Sequence, residues 1–280
     1  MNGFEDLQGK TAAMTGGAGV IGGAFCRAMC SAGIRLAILD IDGDRARKSA
    51  EEIASDTGGL CIGITANVLD RASLESAKAD INARFGPVDF LINGAGGNHP
   101  SATTAVEQIT HADLADLSKT FFGLDPDGFD RVFALNFKGT IMPTMVLATD
   151  MASRGGAVVN ISSMNSYRPL TRIPAYSAAK AAVNNFTQWL AVHLARLNIR
   201  VNAIAPGFFL TNQNRFLLTD EKTGELTPRG RRIIESTPMA RFGEVDELAG
   251  TLLYLLSAQS KFVTGVVIPI DGGYSAFGGV

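Results

Sequence analysis

The stretch Thr15 to Gly23, TGGAGVIGG, decides how the rest of the chain is read. It follows a short apolar run, Lys10 to Thr15, and leads into apolar residues at helical spacing from Ile21 to Ala32. A glycine-rich turn between strand and helix lets backbone N–H groups approach a pyrophosphate at the helix amino terminus. Alone the turn is a weak sign, because glycines also serve close helix packing. Its neighbour strengthens it. A second apolar run, Arg35 to Asp40 (RLAILD), ends in a carboxylate about 20 residues past the turn, where it can accept both hydroxyls of an adenosine ribose. The same carboxylate repels a 2′-phosphate, and Asp42 adds to the repulsion. Arg45 pulls the other way, but Asp40 makes NAD the expected cofactor over NADP.

Outward from the turn, strand and helix periods alternate. A polar helical stretch from Asp44 to Ser55 is followed by the apolar run Leu60 to Thr65, the helical segment Arg71 to Phe85 and the run Val88 to Asn93. The rhythm resumes after residue 127. A long helix is expected from about Gly128 to Ser153, then strand Ala157 to Ser162, helix Ala175 to Arg196, strand Arg200 to Ala205, helix Val245 to Ser257 and strand Gly265 to Ile270. Near-continuous apolar strands separated by helices mean a parallel sheet covered on both faces. The expected fold class is α/β: a single-domain Rossmann fold, a doubly wound parallel sheet of about seven strands, spanning residues 1–280. Residues 96–127 and 207–240 interrupt the order. Each follows the carboxyl end of a strand, where ligands bind in open sheets, so both are expected to be substrate loops.

Composition excludes several classes. With 46% apolar and 19% charged residues, the chain has material for a sizeable core and no disorder bias. Twenty-five basic against 27 acidic residues offer no basic stripe, so no nucleic-acid partner is expected. MNGFEDLQGK lacks the basic, then apolar, pattern of a signal peptide, and no run of about 18 apolar residues is present. A cytoplasmic protein without a membrane partner is the expectation. Cys26, Cys30 and Cys61 are too few for a disulfide framework and read as reduced thiols. His99 and His111 raise a metal reading, but no carboxylate stands at helical spacing to His99, and no metal is expected.

The residues that carry chemistry are Ser163, Tyr176 and Lys180. Tyr176 and Lys180 are four apart in a helical pattern and share a face. An ammonium beside a phenol favours the phenolate, so the tyrosine's pKa is expected to fall from about 10 towards working pH. This spacing also occurs by chance in many helices; Ser163, at the end of the preceding strand, gives the pair its meaning.

At these residues the sequence resembles the short-chain dehydrogenase/reductase family over essentially its whole length. The resemblance rests on TGGAGVIG, Asn67-Val68, NGAG at Asn93 to Gly96, Asn136, ISS at Ile161 to Ser163, YSAAK at Tyr176 to Lys180, APG at Ala205 to Gly207 with Thr211 behind it, and DGG at Asp271 to Gly273. It implies that Tyr176 is the general acid and base, that Ser163 hydrogen-bonds the substrate oxygen, and that Lys180 holds the nicotinamide ribose. It further implies that Asn136 anchors a water in a proton relay. Gly16, Gly19, Val20, Ile21 and Gly22 would form the phosphate turn, and Asn67 and Val68 would flank the adenine. Asn93, Gly94, Ala95, Pro206, Gly207 and Thr211 would complete the cofactor site. Two departures stand out: Val20 where the family's turn has glycine, and Asn67 where an aspartate is common.

GGNHP at Gly96 to Pro100, the run Ser162 to Lys180, NFTQWLAVHLA from Asn185, APGFFLTNQNR from Ala205 and TPMARFG from Thr237 are similar to one branch of that family, the D-mannonate oxidoreductases or fructuronate reductases. That resemblance implies interconversion of D-fructuronate and D-mannonate with NAD(H). A hexuronate carries a carboxylate and several hydroxyls, and Asn98, His99, Asn165, Arg168, Gln213, Asn214 and Arg215 would supply donors. Any of them also has a plain role as a cap or a solvated residue. The helix of Tyr176 is apolar on nearly all sides, Phe186, Trp189 and Leu190 included, so a subunit interface is expected; the family commonly forms tetramers. Two other readings stay open: an NAD-linked enzyme of another sugar acid or polyol, such as a gluconate 5-dehydrogenase-like activity, and a dinucleotide sensor without catalysis, which the retention of Ser163, Tyr176 and Lys180 opposes.

Overall fold

Strand β1 (Thr11–Thr15) is buried at every position, which suits a central strand covered on both faces. In this computed structural model, residues 3–210, 218–220 and 223–279 are described. β1 pairs in parallel with β2 (Arg35–Asp40) on one side and β4 (Phe90–Asn93) on the other. The sheet is completed by β3 (Cys61–Thr65), β5 (Gly156–Ile161), β6 (Ile199–Pro206) and β7 (Val267–Ile270), in the order β3-β2-β1-β4-β5-β6-β7. All seven strands are parallel, as the apolar runs required. Strand order reverses between β1 and β4, so their carboxyl ends, Thr15 and Asn93 in register, flank the crevice where an open sheet binds ligands.

Helices cover both faces. On one, α1 (Val20–Ser31), α2 (Gly43–Thr57) and α8 (Ala249–Leu256) bury Phe25, Met29, Ile53 and Leu252 against Leu36 and Ile38. On the other, α3 (Arg71–Phe85), α5 (Gly139–Leu147) and α6 (Pro174–Leu194) bury Ile81, Leu147 and Leu190 against Leu39, Leu91 and Val158. Each of these large side chains contributes about 1.5–3 kcal/mol by leaving water. α2 and α3 start where Asp42 and Asp70 accept the backbone N–H of Arg45 and Ala72 at 3.0 and 2.9 Å, and such caps contribute about 1 kcal/mol each.

Some expected helices are broken: the one read from Val245 to Ser257 opens with a 3-10 turn, Val245–Leu248, before α8. The single helix read from about Gly128 to Ser153 is α4 (Pro126–Phe133), a π-turn at Ala134–Lys138, α5, and a 3-10 turn at Ala148–Met151. The apolar spacing is nearly the same in either case, so periodicity does not show the wider turn. By length and hydropathy Pro126–Met151 is the one described helix that passes for a membrane span, yet half of its apolar window is buried inside the protein. α7 (Pro228–Glu235) lies in the second interrupting segment.

Candidate active site

A cavity of about 830 Å³ opens at the switch point, lined from the β1 side by Gly16 and from the β4 side by Gly94 and Ala95. Gly16 has φ +68°, and a Cβ there would stand 2.9 Å from the backbone of Ala95, so only glycine fits. At Gly22 a Cβ would meet the Gly16 carbonyl oxygen at 2.4 Å, which seats α1 directly on the turn. Val20 opens α1 as its first helical residue, with Gly19 before it in extended conformation. A helical φ/ψ suits valine, so the missing glycine leaves the turn intact, and Gly19, Val20, Ile21 and Gly22 all line the cavity.

The far end of the cavity is shaped by Asp40, Asn67 and Val68. Asp40 is 6% exposed. Both its oxygens accept from Arg45 Nη2, at 3.0 and 3.1 Å, so the opposing charges weighed in the sequence are partners. Asn67 Oδ1 accepts from the Leu69 N–H at 2.9 Å, which holds this wall in place. A cradle without room for a side chain, a helix amino terminus aimed into it and a buried carboxylate at its end fit a dinucleotide.

At the other end, β5 delivers Ser163 and α6 delivers Tyr176 and Lys180, and all three line the cavity. The Ser163 side chain acts on the Tyr176 phenol and draws its pKa down. Lys180 is 3% exposed and donates from Nζ to the Ile161 carbonyl at 2.8 Å; its Nζ lies 5.6 Å from the Tyr176 ring centroid. The expected lowering of the phenol is not found. Burial raises the Tyr176 pKa, and the Ser163 hydrogen bond offsets only part of that. The perturbed cation is Lys180 itself, which burial brings down to about 8, because low polarity disfavours an ammonium with one carbonyl for a partner.

Asn136 sits in the π-turn, fully buried. Its Nδ2 donates to the carbonyls of Gly97 and Val132 at 2.7 and 2.8 Å, and its Oδ1 accepts from the Gly97 N–H at 3.2 Å. The amide thus fastens the backbone leaving β4 beside Lys180, and π-turns of this kind recur at functional sites. Asn93 is buried beneath, donating to Thr144 and Asn160 at 2.9 and 2.8 Å, in the sheet rather than on the cavity wall. Pro206 and Gly207 line the cavity. Thr211, Gln213, Asn214 and Arg215 lie outside the described residues.

The remaining substrate candidates do not converge on the cavity. Asn98 donates to Thr103 Oγ1 at 2.8 Å, and His99 Nδ1 is 2.8 Å from Ser101 Oγ, so both organise the turn that follows. Asn165 is buried, its backbone N–H on Ser163 Oγ at 3.2 Å. Arg168 donates to the Phe277 carbonyl in the C-terminal segment. Phe208 and Phe209, part of the APGFFLTNQNR stretch but not among the expected site residues, line the cavity directly after Gly207. Their signals in the sequence are that stretch and the placing of an aromatic pair directly after a strand end. Cys26 and Cys30 are buried and Cys61 is half-buried, all as free thiols, and among the described residues no cluster of metal-ligating side chains occurs.

The geometry defines a dinucleotide-dependent oxidoreductase site, and comparison with known proteins narrows its class. The family model described as "Enoyl-(Acyl carrier protein) reductase" matches residues 16–275. The protein belongs to the short-chain dehydrogenase/reductase family. It is 48% identical over 278 residues to UxuB, an uncharacterised oxidoreductase of Bacillus subtilis (strain 168), covering 99% of this chain and 98% of the relative. A Haemophilus influenza protein, crystallised with bound NAD under the provisional name D-mannonate oxidoreductase, superimposes with a TM-score of 0.93 at 46% identity, covering 98% of each chain. The 5-keto-D-gluconate 5-reductase of Escherichia coli (strain K12) is 32% identical over 277 residues, covering 98% of each.

Proposed function

We infer that the protein is an NAD(H)-dependent oxidoreductase that interconverts D-fructuronate and D-mannonate. The observation that carries the reaction class is the convergence of Ser163, Tyr176 and Lys180 on one cavity whose opposite end is closed by buried Asp40. When bound, NAD(H) accepts or delivers the hydride. The substrate is supported by likeness to the NAD-bound Haemophilus relative.

The protein's own residues do the rest. In reduction, Tyr176 donates its phenolic proton to the substrate oxygen, and its raised pKa keeps that proton in place until charge develops. Ser163 donates a hydrogen bond to the same oxygen, where it stabilises the developing alkoxide more than the starting carbonyl. Lys180, with a pKa of about 8, is an ammonium at neutral pH and loses its charge as pH rises through that value. It holds the nicotinamide ribose and supplies positive charge behind Tyr176. Asn136 and Gly97 fix the backbone where a water would connect Lys180 to solvent. Asp40 accepts from the adenosine ribose in place of Arg45 and disfavours a 2′-phosphate.

The reading includes a homo-oligomer in the cytoplasm; what supports the oligomer is exposed apolar residues, Met145 on α5 and Trp189 and Val192 on α6, at 58%, 57% and 81% exposure. A second reading, reduction of a keto-aldonate, is favoured by the likeness to the Escherichia coli enzyme. A panel of hexuronates, keto-aldonates and neutral ketoses, followed by NADH absorbance with identification of the product, tests both. D-mannonate formed from D-fructuronate supports the first reading; turnover confined to other members of the panel rejects it.

A further inference from the structure

The two interrupting segments leave the sheet on either side of Ser163. Residues 96–127 follow β4, residues 207–240 follow β6, and β5, which ends beside Ser163, lies between those strands. A bond between the two segments therefore has to bridge the carboxyl end of β5. One such bond exists. Arg232, on α7, donates from Nη1 to Glu107 Oε2 and from Nη2 to Glu107 Oε1, both at 2.9 Å. Among the described residues, no other salt bridge joins the two segments.

Each partner is tied back to the active-site wall. Three residues before Glu107, Thr104 exchanges two bonds with Arg172: its N–H donates to the Arg172 carbonyl at 3.0 Å, and its own carbonyl accepts from Arg172 Nε at 2.7 Å. Arg172 stands two residues before Pro174, which opens the helix that carries Tyr176. On the other side, Ile233 is buried, and the Thr237 hydroxyl donates to its carbonyl at 2.7 Å. Beyond Thr237 the backbone pairs with Gly272 through Met239 and with Phe209 through Gly243. Phe209 lines the cavity; Glu107 and Arg232 do not.

We propose that Glu107 and Arg232 are a positioning pair that clasps the two segments across the end of β5 and sets the substrate-side wall over Ser163 and Tyr176. The pair rests on the reading of this cavity as the site of reduction, but not on the identity of the substrate. A single exposed ion pair usually contributes little. Here the two carboxylate oxygens each meet one terminal guanidinium nitrogen at 2.9 Å, a bidentate pairing that fixes direction as well as distance. Because neither residue reaches the cavity, loss of the pair should appear in substrate capture rather than in the chemical step or in cofactor binding.

The test compares wild type with Glu107→Gln, Arg232→Gln and the exchanged double variant Glu107→Arg/Arg232→Glu. Each is assayed at low salt and at high salt, roughly 1 M NaCl, where the Debye length shrinks to about 3 Å. Each single variant should raise KM for the carbonyl substrate by about threefold to fivefold at low salt, with kcat and NADH affinity unchanged, and the exchange should recover most of the loss. High salt should erase the differences. Wild-type KM in both single variants overturns the proposal. So does a rise with Arg232→Gln alone, which would make Arg232 a direct contact to substrate. Amide hydrogen exchange over residues 99–123 with NADH bound gives a readout free of any substrate. It should quicken in either single variant and return in the exchanged one, and unchanged exchange overturns the pair even if fructuronate proves not to be the substrate.

Discussion

The two ends of the crevice, the one proposed for adenosine and the one proposed for substrate, are built by opposite means. At the proposed adenosine end the backbone itself forms the surface: Gly16 and Gly22 leave no room for a side chain, and buried Asp40 closes a regular strand. At the substrate end, walls come from long segments held by side chains, through the Asn136 amide on Gly97, Arg172 on Thr104 and Arg232 on Glu107. A surface made of backbone tolerates almost no change. A wall hung on side chains can be rebuilt while the chemistry behind it stays, which suits a fold whose members differ in substrate.

The largest effect should come where the two ends meet. Tyr176→Phe removes the proposed proton donor but keeps the ring, so turnover should fall by about 10² to 10⁴ while NADH titration stays near wild type. A variant with near-normal turnover would place the acid elsewhere. Next in size is Gly22→Ala. The added methyl would overlap the Gly16 carbonyl; strain of about 1–3 kcal/mol should lower the melting temperature and weaken NADH binding at least about tenfold. Wild-type affinity and melting would show that the turn can yield. Asp40→Ala should follow, with NADH bound about 10-fold to 100-fold less tightly, as expected for loss of hydrogen bonds to a charged group. Arg45, freed from Asp40, should then improve NADPH binding; a variant that still prefers NADH by the original ratio would remove Asp40 from the selection.

The smallest effect is expected for Arg168→Met. Its guanidinium holds the Phe277 carbonyl rather than facing the cavity, so KM for an acidic substrate should move by less than about threefold, within the range of an exposed polar contact. A larger rise confined to acidic substrates would return Arg168 to the carboxylate.

The same contrast governs what the sequence reveals. Strands with both faces buried write themselves as apolar runs, and Gly16, Asp40, Ser163, Tyr176 and Lys180 sit at strand ends or on one helix face, where spacing alone fixes their place. The π-turn around Asn136 is hidden because it leaves the apolar spacing almost unchanged. The phenol's raised pKa is hidden too: spacing puts Lys180 beside Tyr176, but only the packed interior shows that desolvation raises the phenol and that Ser163 offsets only part of the rise. Asn98, His99 and Arg168 have the chemistry of sugar ligands, yet their partners are Thr103, Ser101 and Phe277. Residue type in an irregular segment does not fix direction, because no period relates one side group to the next.

The most direct measurement of the central claim is a competition at equal low concentrations of D-fructuronate and 5-keto-D-gluconate with NADH, in which the ratio of products reads the ratio of kcat/KM values. D-mannonate should dominate, and replacing NADH by NADPH should slow both reactions. Dominant reduction of the keto-gluconate, or faster turnover with NADPH, would contradict the account.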